Sequence, residues 1–158
     1  MTTEHSNPRE SFRLITPLRV RYAEADMQGI VFNANYLALA DVGVTEYFRA
    51  LTYAASGQEV SGEFLAMFGG DNWVRHADVD FRSPAKADDM LDICIRIVRF
   101  GRTSYRTLCH VVRGDTLLTV INLTYVWFDP ASGKVAPVDQ RFIDAVAQFE
   151  MIRPERAV

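Results

Sequence analysis

Four segments of strand character follow one another through the middle of the chain: Trp73 to Phe81, Met90 to Val98, Ser104 to Val112 and Leu117 to Phe128. They are rich in β-branched and aromatic side chains, and the stretches between them, SPAKADD, FGR and RGD, consist of turn formers. Connections this short leave no room for a parallel crossover, so consecutive strands are expected to pair antiparallel. A fifth strand precedes them from Leu14 to Tyr22. There Leu18, Val20 and Tyr22 alternate with Arg19 and Arg21, and Pro17 suits an edge or a bulge at its start.

A sheet of this kind has an apolar face that another element must cover. The segment from Asn35 to Leu51 places Tyr36, Leu39, Ala40, Gly43, Tyr47 and Leu51 three or four residues apart, which is one face of a helix, and Asn33 or Asn35 can cap it. Leu37, Val42, Val44 and Phe48 lie off that stripe, so burial on several sides is expected. Ala38, Ala40 and Gly43 allow close approach, a reason to tolerate a mid-helix glycine that costs about 1 kcal/mol relative to alanine. A sheet curled around the helix would make that contact. Weaker helical patterns run from Gly57 to Gly70, through Val60, Phe64, Leu65 and Phe68, and from Val138 to Phe149, through Phe142, Ile143 and Val146. Residues 1–11 are polar and aperiodic and read as a frayed arm, which leaves 12–158 as a single α+β domain.

Charge and motifs narrow the function. A net charge of -3 offers no general attraction to nucleic acid, and no run approaches the roughly 18 apolar residues of a membrane span. The opening MTTEHSNPRESFR lacks the apolar stretch of a signal peptide, so a cytoplasmic protein is expected. Cys94 and Cys109 fall in strands without CxxC spacing and read as free thiols, while His5, His76 and His110 are scattered and no HExxH occurs. Neither a metal nor a cofactor is expected. Without GxSxG, GxxxxGK[ST] or GxGxxG, the usual routes to serine hydrolysis, nucleotide hydrolysis and hydride transfer are also missing.

Asp26 then stands out, three residues ahead of Gly29 and shortly before the apolar helix. A helix start offers unpaired N–H groups and partial positive charge, which stabilise a carbonyl oxygen as it gains negative charge; the Asn33 N–H is a natural donor. A carboxylate beside such a donor can activate water or attack the carbonyl itself. A thioester suits this chemistry, because its thiol, with a pKa of about 8.5, leaves without a strong general acid. The alternative is that Asp26 only shapes the turn before Gly29.

The segment RYAEADMQGIVFNANYLALADVGVTEYFRAL resembles the signature of the 4-hydroxybenzoyl-CoA thioesterase-like branch of the hotdog superfamily, with Tyr22, Glu24, Asp26, Gly29, Ile30, Val31, Asn35 and Tyr36 in the characteristic places. The downstream strands agree, so the likeness covers residues 14–149. It implies a hotdog fold, a long central helix wrapped by a curled five-stranded antiparallel sheet, and hydrolysis of small or medium acyl-CoA, aliphatic or aromatic, to free acid and CoA. Asp26 would be nucleophile or general base, and the Asn33 N–H would polarise the thioester carbonyl. Gly29 and Tyr36 would border the substrate. Asn33 stands where many relatives have His or Tyr, and Asp41, where relatives often have Glu, either faces the pocket or belongs to a solvated stripe with Thr45 and Arg49. Arg102, Thr103 and Ser104, in the FGRTS turn, would touch the phosphates or pantetheine arm of CoA, with Arg96, Arg99, Arg106 and Arg113 adding positive charge to the same hairpin. Homodimers or homotetramers are implied, with active sites between subunits and part of each pocket, around Phe64, Met67, Phe68 and Trp73, coming from the partner. An acyl-carrier-protein thioesterase and a non-catalytic acyl-thioester binding protein remain as alternatives.

Overall fold

The computed structural model describes residues 6–157. Its long strands are β1 (Leu14–Arg19), β2 (Asp71–Phe81), β3 (Met90–Phe100), β4 (Ser104–Arg113) and β5 (Thr116–Asp129). Two-residue strands, β6 (Lys134–Val135) and β7 (Glu155–Arg156), extend the margins, and the helices are α1 (Asn35–Ser56) and α2 (Gln140–Phe149). The long strands form one antiparallel sheet in the order β1-β3-β4-β5-β2, with β6 against β5 and β7 parallel to β3. The sheet curls around α1, an α+β hotdog architecture.

Two of the three short connections make hairpins, and the third does not. β2 pairs with β5, so the segment through SPAKADD crosses from one margin of the sheet to β3 beside the other. Its backbone is tied down on the way: Arg82 and Ser83 donate to the Leu118 carbonyl, Val31 to Ala85 and Asp88 to Val20. β1 lies at the other margin, paired only with β3, where Pro17 leaves no ladder bond unmade. Its alternation ends at the buried Val20. Tyr22 begins a 3-10 turn (Tyr22–Glu24) and is 92% exposed, off the core face expected for it.

α1 buries Tyr36, Leu39, Ala40, Gly43, Val44, Tyr47, Phe48 and Leu51, the expected stripe and part of what flanks it. Leu37 and Val42 instead remain exposed. A Cβ on Gly43 would sit 2.5 Å from Ile93 Cγ2 and 2.9 Å from Ile95 Cγ1, so it is the side chains of β3 that require the glycine. Neither asparagine caps the helix. Ala34 holds the cap position with no side-chain bond, and Asn35 Nδ2 donates instead to the Glu24 carbonyl. The helix runs past Leu51 until Gly57 adopts the left-handed conformation, φ 71°, and donates to the Tyr53 carbonyl.

The weak pattern after Gly57 yields only a 3-10 turn, Phe64–Phe68, because Gly62 and Gly69, both at positive φ, break the chain on either side. α2 is capped by Asp139, whose side chain accepts from the Arg141 N–H, and it lays Phe142, Ile143, Val146 and Phe149 over one mouth of the cup. The Phe142 ring lies 5.0 Å from Trp127 and 5.4 Å from Phe68. Where β1 stops, Glu150 takes its place at the edge of β3: Oε1 accepts from the Ile97 N–H and the Tyr47 hydroxyl, both at 2.7 Å. Of the polar N-terminal segment, residues 1–5 lie outside the described residues. From Asn7 to Phe12 it forms turns against the outer sheet face, with Arg9 paired to Asp92 at 2.7 Å and the Pro8 carbonyl 2.9 Å from His110 Nδ1.

Candidate active site

Residues Glu24 to Phe32 fold into a small hairpin that delivers the chain to α1. Ala25 bridges Val31 antiparallel, the Phe32 N–H donates to the Glu24 carbonyl, and Arg21 clamps Glu24 with side-chain bonds of 2.7 and 2.9 Å. Asp26 to Gly29 is the tip. The Gly29 N–H donates to the Asp26 carbonyl and the Asp26 N–H to the Ile30 carbonyl, with Gly29 at φ 76°. Asp at the first place and Gly at the fourth are what such a turn favours, which gives the Asp-x-x-Gly spacing a conformational cause.

That cause uses half of the carboxylate. Asp26 Oδ1 accepts from the Gln28 N–H at 2.7 Å; among the described residues Oδ2 has no partner, and the side chain is half-buried. At the base of the hairpin the Asn33 N–H likewise meets no acceptor among the described residues, while its carbonyl receives the Tyr36 N–H at 3.3 Å. This unused donor lies beside the positive end of α1. The Asn33 side chain is exposed.

Tyr36 is buried, and its hydroxyl accepts from the Ala85 N–H at 3.0 Å, with the ring edge-on to Phe81. It braces the 82–89 segment against the helix start. Asp41, less than two turns further along α1, is exposed, and its charge is felt by Tyr125 across the cup. Burial first and Asp41 second push the Tyr125 hydroxyl well above its ordinary range, and that buried oxygen meets no hydrogen-bond partner among the described residues. Sequence reading passed over Tyr125, because an aromatic at an inward β5 position looks like core. Around the hairpin an apolar collar is exposed, with Tyr22, Met27, Phe32 and Leu37 all open to solvent.

The second group of candidates lies elsewhere. Arg102, Thr103 and Ser104 form the β3–β4 turn, whose carbonyls accept from Val138 and Trp127 and so tie it to the α2 end. Asp26 sits near the start of β3 and this turn follows its end, an eleven-residue strand apart, roughly 30 Å at strand rise. The 57–73 stretch lies with the turn: Phe68 is core, and Trp73 rests against Phe128 at 4.4 Å. The chain therefore gathers Asp26, Gly29, Asn33 and Tyr36, with Asp41 nearby, and holds Arg102, Thr103 and Ser104 at its far end. Among the described residues no three His, Cys, Asp or Glu side chains are grouped to ligate a metal.

A long helix cupped by a curled antiparallel sheet, with a carboxylate loop at the helix start, defines a hotdog protein with a site suited to acyl transfer. The model of the thioesterase superfamily matches residues 28–120, beginning two residues after Asp26. The acyl-CoA thioester hydrolase YbgC of Escherichia coli is 32% identical over 119 residues, 75% of this chain and 84% of that one. A Thermus thermophilus thioesterase, solved with coenzyme A and zinc, superposes with a TM-score of 0.75 at 23% identity, covering 89% of this chain and 96% of its own. A 1,4-dihydroxy-2-naphthoyl-CoA thioesterase from Synechocystis does so with 0.68 at 19% identity, covering 84% and 94%. The chain belongs to the thioesterase superfamily.

Proposed function

We propose that this thioester hydrolase acts on acyl-CoA, with Asp26 as its essential carboxylate and the backbone N–H of Asn33 as the donor to the thioester carbonyl. The observation that carries this reading is the pair of groups on one hairpin that are unused among the described residues: a carboxylate held in position by one oxygen with the other free, and an unpaired N–H at a helix start. Asp26 Oδ2 attacks the carbonyl carbon to give a mixed anhydride, which water then hydrolyses to free acid and the regenerated carboxylate, or it takes a proton from a water that attacks the carbonyl directly. Charge that builds on the carbonyl oxygen is met by the Asn33 N–H, and the CoA thiolate departs without help from a strong acid. Small or medium acyl groups, aliphatic or aromatic, fit the apolar collar around the hairpin. The named relatives support CoA as the carrier.

The reading includes assembly. β2 is an eleven-residue margin strand with Trp73 and Val74 exposed, and Leu37 and Val42 leave apolar surface on α1. An open edge of this kind is normally covered, and a homodimer or homotetramer would cover it. Assembly is also how the Arg102–Ser104 turn of one subunit could serve the Asp26 hairpin of another. Residues 12–158 act as one unit in this scheme. The buried thiols of Cys94, raised by burial to about 12, and Cys109 suit a reducing compartment such as the cytoplasm. Free CoA release from short-chain, medium-chain and aromatic acyl-CoA, set beside the same acyl groups on acyl carrier protein, tests the proposal. Saturable turnover of at least one CoA ester supports it; turnover of carrier-protein esters alone, or of none, contradicts it.

A further inference from the structure

The hairpin that carries Asp26 leans on a second segment of the chain. Its return limb, Gly29 to Val31, is the middle one of three short extended pieces. On one side Ala25 bridges Val31, and the Asp26 N–H donates to the Ile30 carbonyl. On the other side residues 85–87, part of the segment that crosses from β2 to β3, run antiparallel to it. There the Val31 N–H donates to the Ala85 carbonyl at 2.9 Å, Ile30 bridges Lys86, and the Ala87 N–H donates to the Gly29 carbonyl at 3.4 Å. A hairpin held by so few bonds takes its position from whatever fixes its neighbour.

That neighbour ends in a turn from Lys86 to Asp89, closed by the Asp89 N–H to the Lys86 carbonyl at 3.1 Å, and its third residue, Asp88, sits at φ 69°. Glycine is the usual residue at such a place, and a side chain held there persists only where its surroundings over-determine it. Asp89 and Arg113 do so. Asp89 Oδ2 accepts from the Lys86 N–H at 2.8 Å and from Arg113 Nη1 at 2.6 Å, and the same Arg113 nitrogen reaches the Pro84 carbonyl at 3.3 Å. Arg113 ends β4, so it ties the segment to the sheet on both sides of Ala85. Arg19 also donates to the Asp88 carbonyl, at 2.9 Å, but both side chains are exposed. Burial alone would raise the Asp89 carboxyl; the Lys86 N–H and Arg113 outweigh it and hold it below its ordinary range, so the pair stays charged at neutral pH.

We infer that Asp89 and Arg113 are positioning residues for the hydrolysis: they fix the 84–89 segment, which fixes the limb that aims the Asp26 carboxylate and leads to the Asn33 N–H. The inference rests on the Asp26 reading of the site. Neither residue belongs to the hairpin or to the helix start, and both act through the backbone between. Their side chains are partly exposed, 34% for Arg113 and 20% for Asp89, and ion pairs of that kind add little to global stability. The effect on position is larger in proportion, because a reacting group displaced by about 1 Å can cost a hundredfold in rate.

Two measurements on Arg113→Met test it: hydrogen exchange of the full chain without substrate, and steady-state hydrolysis of whichever short-chain, medium-chain or aromatic acyl-CoA the wild type turns over fastest. Amides of residues 26–31 should exchange about tenfold faster or more, while those of β4 and β5 keep their protection. In parallel kcat should fall about tenfold or more, with KM within about threefold and the melting temperature within a few degrees of wild type. Arg113→Lys, which keeps a cation facing Asp89, should recover most of both. Should Arg113→Met fail to fold, Asp89→Asn, which removes one charge and keeps an acceptor for Lys86, takes its place with the same expectations. If either the exchange of 26–31 or kcat stays within about twofold of wild type, the inference is overturned, because a pair that only stabilises the fold would move neither in the folded enzyme. Failure of the Asp26 reading shows separately, as undiminished turnover by Asp26→Asn or none by the wild type, and overturns the role in hydrolysis along with it.

Discussion

In the proposed function Asp26 meets two demands with two oxygens, and each is separately open to mutation. Oδ1 caps the turn, which asparagine can also do, whereas only a carboxylate can supply the proposed chemistry from Oδ2. Glu150 is a different case. Burial pushes its carboxyl above the ordinary 4.5, against the opposing pull of the Tyr47 hydroxyl, the Ile97 N–H, Arg96 and Arg13. A raised folded-state value means that its contribution to stability is complete below pH 4.5 and is lost as pH climbs through the folded value. The stability difference between wild type and Glu150→Gln, followed by urea unfolding, should therefore turn against the wild type as pH rises from about 4.5, and a flat difference would contradict this. Tyr125 gives a third expectation. Its hydroxyl is buried without a partner among the described residues, so Tyr125→Phe should hold or raise stability, with the melting temperature as the readout. Asp26 was legible in the sequence because its constraint is local, an Asp-x-x-Gly turn before a helix. The bond of Tyr36 to Ala85 and the settings of Tyr125 and Glu150 were not, because these surroundings are assembled from residues such as Ala85 and Tyr47, 49 and 103 positions away.

The elements follow the periodicities that announce them wherever one partner suffices to define them. α1 and the four strands from Trp73 onward occupy their expected places, since their apolar faces repeat at 3.6 and 2. What periodicity cannot convey is which edges meet: a chain leaving β2 through SPAKADD reads as a hairpin, yet β2 finds its partner in β5. Likewise, four apolar residues between glycines read as a helix and fold as one 3-10 turn. Gly43 records the packing of α1 on β3 most sharply. Gly43→Val would drive its side chain into Ile93 and Ile95, and overpacking of this kind costs about 1–3 kcal/mol, measurable as a lowered urea midpoint. An unchanged midpoint would mean that helix and sheet are less tightly seated than the structure indicates.

At the scale of the molecule, the Asp26 hairpin and the Arg102 turn occupy opposite ends of the cup, so a single chain does not bring all the candidate residues together. The sequence could place both motifs but not the length of strand between them, which emerges only when β3 is drawn out to its full eleven residues. If β2 pairs between subunits, Val74→Lys, which adds charge at its exposed edge, should shift sedimentation toward the monomer, and unchanged sedimentation would point to another interface. The central claim concerns the carboxylate itself. Turnover of the best acyl-CoA substrate by Asp26→Asn, with the melting temperature recorded alongside, tests it most directly. The account predicts a loss of about a hundredfold or more in kcat with the fold intact; activity within a few-fold of wild type would reduce Asp26 to a turn residue and move the chemistry elsewhere.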